Sequence, residues 1–167
     1  MSSSSAQKRD FPGNGRKISI STPLGDLYAI SGSTGIIKIG WDNASYFRED
    51  DAPPDSLRKW FDCYFRGEIT DFPLIDMRGL SVFASDVTTT LVEMVPYGTT
   101  ISYKDLARLS GYPNASRAVG NVMSENPWPI LVPCHRVISS DGSLGNYSGR
   151  GGKKTKLKLI NMEGGIR

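Results

Sequence analysis

Histidine is nearly absent from this chain. One stands among 167 residues, His135, beside only two cysteines, Cys63 and Cys134. So few ligands exclude a His/Cys zinc set, and two cysteines do not make a disulfide framework. The expectation is a reducing setting with no bound metal and no cofactor. No apolar run approaches the length of a membrane span, and Met1 to Arg9 lacks the apolar core of a signal peptide. The sequence therefore predicts a soluble protein, cytoplasmic, or nuclear if the organism is eukaryotic. What is present is an ordinary globular composition, 38% hydrophobic and 22% charged, enough for one domain or two small ones.

The net charge of +3 hides a split. Residues 1–100 carry 10 Lys/Arg against 13 Asp/Glu, a net of −3, whereas residues 101–167 carry 10 against 4, a net of +6. A basic half is the expected footprint of a polyanion-binding module. It is also the half that holds His135.

Hydrophobic periodicity predicts an α+β chain. Residues 1–15, rich in Ser and Gly, are expected to be disordered. Lys17–Ile20, Leu27–Ile30 and Ile36–Ile39, separated by Gly-containing turns, predict a small antiparallel sheet. Asp55 is expected to cap a helix whose face is Leu57, Trp60, Phe61, Tyr64 and Phe65, with Cys63 off that stripe as a structural thiol. This N-terminal unit is expected to span 16–80, and 81–167 to form a mainly helical C-terminal domain. There, Val87, Leu91, Met94 and Val95 mark a helix stopped by Pro96. Ser102 to Asp105 reads as a capping box opening a helix through Ser110. Asn114 caps a second helix, Ala115 to Glu125, so the pair is a helix-turn-helix. Ile130–Val132 reads as a strand, Asp141-Gly142 as a hairpin turn, and Lys153–Met162 as a helix with Leu157, Leu159 and Ile160 inward.

The chemistry concentrates at Pro133-Cys134-His135-Arg136-Val137. An unassisted thiol of pKa about 8.5 is only about 3% thiolate at neutral pH. Histidine is the side chain whose ordinary pKa suits a base there. Taken alone, a Cys-His dipeptide is more often a buried cysteine beside a surface histidine, and the surrounding residues decide otherwise.

Those residues are Ser102-Tyr103, Ser116-Arg117-Ala118-Val119-Gly120, Asn126-Pro127-Trp128-Pro129, Pro133 to Val137 and Gly145-Asn146-Tyr147-Ser148-Gly149. In this order and spacing, over 83–165, the chain resembles the methylated-DNA–protein-cysteine methyltransferases, the suicidal 6-O-alkylguanine-DNA alkyltransferases. Over 17–80 the resemblance rests on Thr22-Pro23-Leu24-Gly25 and the three strands. The resemblance implies stoichiometric, irreversible transfer of an alkyl group from 6-O-alkylguanine in double-stranded DNA to the protein's own cysteine. By motif position Cys134 is the acceptor, His135 its base through a bound water, and Glu163 the carboxylate that orients the histidine. Tyr103 donates to the flipped base, and Asn126 ties the helix-turn-helix to the loop bearing Cys134. Tyr147, Ser148 and Gly149 close the pocket, and the Cys134 and Val137 carbonyls accept from the guanine amino group. Arg136 is expected to buttress the interface between the helix-turn-helix and that loop.

The same resemblance implies base flipping from the minor groove, with Arg117 as the finger in the vacated stack and Ser116, Ala118, Gly120 and Asn121 along the contacting helix. Lys104, Lys153 and Lys154 are candidate phosphate contacts, and a monomer is expected. Three other readings compete: a damage sensor that flips and binds without reacting, a Cys-His hydrolase, and a helix-turn-helix regulator reading the major groove. An intact Cys134 disfavours the first. The second leaves Arg117 and the Asn-Pro element without a purpose, and the third predicts no dependence on Cys134.

Overall fold

Strands β1 (Arg16–Ile20), β2 (Leu27–Gly32) and β3 (Gly35–Trp41) pair antiparallel in the order β1-β2-β3. These belong to a computed structural model that describes residues 16–41 and 54–165. The expectation for 1–15 falls outside the described residues. Ile18, Ile20, Leu27 and Ala29 alternate onto the buried face, as a half-buried strand requires. In β3 the buried residues are Ile36 and Ile39, an odd spacing that would ordinarily put them on opposite faces. The register shifts at Ile30/Ser31, where Ile30 faces Lys38 but Ser31 faces Ile36. A bulge of this kind resets the alternation and lets both isoleucines point inward.

Helix α1 (Asp55–Arg66) buries Leu57, Phe61 and Tyr64, with Trp60 and Phe65 half-buried along the same stripe. Its N-cap is Pro54, with no side-chain cap, so Asp55 is the first helical residue, not the cap. There its carboxylate still meets the positive end of the helix dipole. Cys63 is buried as well, off the predicted stripe, with Arg66 Nη2 3.7 Å from its sulfur.

Helix α2 (Val82–Met94) is capped by the Ser81 hydroxyl, which accepts from the Ala84 amide, and buries Val87 and Leu91. Val95 is buried just beyond its end, while Met94 turns outward. Strand β4 (Ile101–Ser102) runs into helix α3 (Tyr103–Leu109), where the Ser102 hydroxyl accepts from the Asp105 amide and donates to its carboxylate. Ser102 is therefore the N-cap, and Asp105 returns to its hydroxyl, not to its backbone amide as a full capping box would. Helix α4 (Ser116–Ser124) follows, packed on α3 and α2 through Val119 and Met123. Its N-cap is Ala115, without a side-chain cap, which corrects the assignment to Asn114.

Two strand expectations give way to turns. Ile130–Val132 is not a strand: the Val132 amide bonds back to the Trp128 carbonyl at 2.8 Å, and Ile130 has φ 71°. Prolines at 127, 129 and 133 withhold the amides that a ladder would need. Asp141-Gly142 does turn, with the Gly142 amide on the Ser139 carbonyl, but no strand follows it. Instead β5 (Val137–Ile138) pairs in parallel with β4. Helix α5 (Lys153–Met162) buries Leu159 and Ile160, whereas Leu157 is 42% exposed. The inward place expected for Leu157 goes to Lys156, which is fully buried. One apolar cluster runs from Ile18 through Leu91 and Trp128 to Leu159. Among the described residues no helix is long and apolar enough to cross a membrane.

Candidate active site

The segment from Asn126 to Val137 is a buried loop, and its backbone groups are tied off individually. Asn126 holds it from within: its side-chain nitrogen donates to the Val132 carbonyl at 2.9 Å, and its oxygen accepts from the Trp128 amide at 2.9 Å. The sheet holds it from outside. The Trp128 indole donates to the Ile36 carbonyl at 2.7 Å, and the Ile39 amide donates to the Pro127 carbonyl at 2.8 Å. Ile130, β-branched and fully buried, sits in the left-handed region at a cost of about 1–3 kcal/mol that these bonds must overcome. The strained loop ends in a 3-10 turn, Cys134–Arg136, that brings His135 and Arg136 onto one carboxylate, that of Glu163.

Glu163 is held from three elements. Its Oε1 accepts from Tyr64 Oη at 2.6 Å, His135 Nε2 at 2.7 Å and Arg136 Nη2 at 3.0 Å. Its Oε2 accepts from Arg136 Nε at 2.8 Å and from the Gly98 amide at 3.4 Å. Burial alone would raise this carboxyl. Hydrogen bonds from His135 and Arg136, together with the guanidinium charge, outweigh it and hold the group at about 2. Gly98 has φ 81°, and a Cβ there would come within 2.7 Å of the Glu163 carbonyl, so only glycine lets the chain pass.

A carboxylate on Nε2 fixes the proton there and leaves Nδ1 as the acceptor of the ring. Nδ1 is buried, and among the described residues no protein group hydrogen-bonds it. His135 is 0% exposed, and burial keeps it neutral against the pull of Glu163. Cys134, 4% exposed, is a free thiol raised by burial, which the Asn126 amide and the Lys156 charge oppose. The array is thus a neutral thiol, a neutral imidazole with an open nitrogen, and an anchored carboxylate.

The other predicted residues gather around the thiol. Tyr103 is half-buried with its hydroxyl against Gly145, and its phenol is raised by burial and by Cys134. Tyr147 is buried, edge-on to Trp41 of β3 with ring centroids 6.3 Å apart. Gly149 lies so close to both rings that a Cβ would come within 2.7 Å of Trp41. Ser148 between them is exposed. The Val137 carbonyl already accepts from Lys156 Nζ at 2.6 Å, and the Cys134 carbonyl from the Val137 amide. Arg136 does not buttress the helix-turn-helix as expected. It joins Glu163 to the Val95 carbonyl, at 2.8 Å from Nη1, at the end of α2.

Helix α4 turns Arg117 and Asn121 to solvent, with Ser116, Ala118 and Gly120 half-buried between them. A Cβ on Gly120 would meet nothing within 4 Å. Its smallness therefore serves no contact within the described residues. Lys104, Lys153 and Lys154 are exposed, and no group of His, Cys, Asp and Glu among the described residues forms a metal-binding cluster.

The model of the 6-O-methylguanine DNA methyltransferase DNA-binding domain matches residues 83–165. The methylated-DNA–protein-cysteine methyltransferase of Methanothermobacter thermautotrophicus is 33% identical over 148 residues, covering 85% of this chain and 81% of that one. This chain belongs to the methylated-DNA–protein-cysteine methyltransferase family. The rat member is 52% identical over 82 residues, which cover 49% of this chain and 39% of the rat protein. The match spans 52% of the mouse member. Among solved structures, Mycobacterium tuberculosis O6-methylguanine methyltransferase superposes with a TM-score of 0.73 at 33% identity, covering 89% of this chain and 92% of that one. The α+β fold expected from the sequence is the fold of the family.

Three residues with no expected part in the site stand in it. Tyr64 reaches Glu163 from α1. Lys156 lies 5.7 Å over the Tyr103 ring and donates to the Val137 and Asn146 carbonyls. Trp41 backs Tyr147. Lys156 alone left a signal, as a lysine three residues ahead of the buried Leu159 on α5, and a charged residue at that spacing is ordinarily solvated.

Proposed function

We propose that this protein repairs DNA by direct reversal, moving the alkyl group of 6-O-alkylguanine onto its own Cys134. The observation that carries the reading is the buried Cys134–His135–Glu163 array with its open Nδ1, in a chain of this family. The thiol proton passes through a water to Nδ1, while Glu163 holds the Nε2 proton and stabilises the imidazolium. The sulfur lone pair then forms the S–C bond as the C–O bond to guanine breaks. The electrons of that bond leave with the base, and Tyr103 donates to it. No step regenerates the thiol, so each protein acts once. Val137, Tyr147, Ser148 and Gly149 line the base, and Asn126 keeps the Cys134 loop in register with α4.

A base stacked in a duplex cannot reach a thiol this deeply buried, so the nucleotide must leave the stack, at a few kcal/mol. We assign Arg117 to the gap it leaves, and Ser116, Ala118, Gly120 and Asn121 to the minor groove. The open space at Gly120 supports this, since an approaching backbone needs it. Lys104, Lys153 and Lys154 would meet phosphates. A solved structure similar to this chain, Mycobacterium tuberculosis OGT at TM-score 0.73 and 33% identity, is in complex with DNA. We read residues 81–167 as the DNA-binding and acceptor unit, 16–80 as the sheet and helix that brace it, and the protein as a monomer working wherever DNA is held.

The test is intact-mass and peptide spectrometry after mixing with a duplex carrying one 6-O-methylguanine. The expected result is one methyl per protein, on the Cys134 peptide, and none on Cys134→Ala, which still binds. Tight binding with no mass change would make the chain a sensor, and neither binding nor transfer would overturn the reading.

A further inference from the structure

The carboxylate of the array is shared between the two halves of the chain. Tyr64 is on α1 and Glu163 lies 99 residues later, yet their 2.6 Å hydrogen bond is the shortest that Glu163 accepts. Both donors, Tyr64 Oη and His135 Nε2, share one oxygen, and they stand 3.4 Å from each other. The Tyr64 ring is itself held, stacked on Trp60 with centroids 5.1 Å apart and edge-on to Tyr97 at 5.6 Å. Its hydroxyl has one available direction. Burial, then the adjoining Glu163, raise the phenol, so it stays a donor at any working pH.

We propose that Tyr64 is a positioning residue of the alkyl-acceptor array, supplied by the N-terminal helix: its hydroxyl shares Glu163 Oε1 with Nε2 of His135 and, by drawing on that oxygen, keeps the imidazole neutral with Nδ1 free as the base to lower pH. This deepens the reaction proposed above and rests on it. The groups facing His135 are Tyr64 from α1, Arg136 on its own turn beside the adjoining Cys134, and Lys156 and Glu163 from α5 and its end, while Tyr97 from the turn after α2 lies against Tyr64 and Arg136. Of these, Tyr64 is the neutral donor that competes with the imidazole for the same carboxylate oxygen. Without it the oxygen is left to His135 and Arg136, the imidazolium is better stabilised, and the ring holds its proton to higher pH. Losing the Tyr64 oxygen at 3.4 Å acts in the opposite direction, but at that distance it is much the weaker contact and does not reverse the sign.

The single histidine makes the experiment direct, because a nitrogen-15 label on histidine in the full chain reports one ring. In the wild type the neutral ring is expected to carry its proton on Nε2. In Tyr64→Phe, which keeps the aromatic stack, the titration midpoint is expected to rise by about half a unit. Methyl transfer should then slow about threefold on the acidic side of the profile and remain unchanged on the alkaline side. An unchanged midpoint and profile in Tyr64→Phe, with loss only in Tyr64→Leu, would reduce Tyr64 to packing and overturn the proposal. Should Tyr64→Phe fail to fold, a native ring protonated on Nδ1 would overturn it just as well. The ring titration needs no DNA, so a wild type that titrates as expected but transfers nothing would count against the proposed reaction alone.

Discussion

Replacing Glu163 by glutamine removes one charge from a site built to hold it, and the cost can be worked in two ways. A carboxyl moved from its ordinary 4.5 to about 2 corresponds to about 3 kcal/mol of stabilisation at neutral pH. Independently, removing one partner of a buried ion pair costs about 3–5 kcal/mol, because Arg136 would be left with the Val95 carbonyl and no counter-charge. The glutamine amide also brings donors to a place that already has them from Tyr64, His135 and Arg136. Glu163→Gln should therefore lower the melting temperature at pH 7 by roughly 6–15 °C. The sign in pH follows from the direction of the shift. A depressed carboxyl contributes fully above 4.5 and loses its contribution as pH falls towards 2. Urea unfolding at stepped pH should show the wild type and Glu163→Gln about 3 kcal/mol apart at pH 6, converging as pH falls to about 2. His135 acts in a different window: its folded proton affinity is lowered, so the unfolded chain protonates first and stability falls from about pH 6.5 downward. A gap between the two proteins that stays constant from pH 5 to pH 2 would refute the pairing as its source.

Other substitutions separate folding from DNA binding. Gly120→Ala should stabilise α4 by about 0.5–1 kcal/mol, since its new Cβ meets open space, yet weaken binding to duplex DNA; thermal unfolding and a binding titration read the two effects. Arg117→Ala should reduce transfer from a duplex far more than transfer from the free alkylated base, compared as single-turnover rates. Asn126→Ala strands the Trp128 amide and leaves the Val132 carbonyl with the Cys134 amide alone, and should cost about 1–3 kcal/mol, seen as a lower urea midpoint with an unchanged slope. Replacing Lys104, Lys153 and Lys154 together by Ala should flatten the salt dependence of DNA affinity, by about one in slope for each phosphate left without its lysine.

What the sequence made legible was governed by local rules. The N-cap at Ser102, the span of α5 and the three strands each follow from short-range chemistry, and each is found. Local errors have local causes. Asp55 and Asn114 carry side chains suited to capping, but Pro54 and Ala115 occupy the cap positions and the polar residues fall one place to either side. Ile130–Val132 has the composition of a strand, yet its proline-bounded backbone has no ladder to join and turns back on itself. The bulge in β3 reversed no assignment, because three apolar residues in four fit either face.

The candidate site was legible in part for a different reason. Cys134, His135 and Arg117 stand in runs whose order and spacing are specific, so one match carries many positions at once. Tyr64 stands in no such run. Its place at the seventh step of the Leu57 stripe explains its burial completely, and periodicity reports which side chains enter the core without regard to a hydroxyl at the tip. The same position satisfies both demands: the ring fills the stripe while the oxygen reaches a carboxylate from the far end of the chain. An aromatic residue that packs as phenylalanine would, and also ends in a donor, is thus a place where a core reading and a site reading coincide. Only the hydroxyl distinguishes them, which is why Tyr64→Phe is the substitution that separates one from the other.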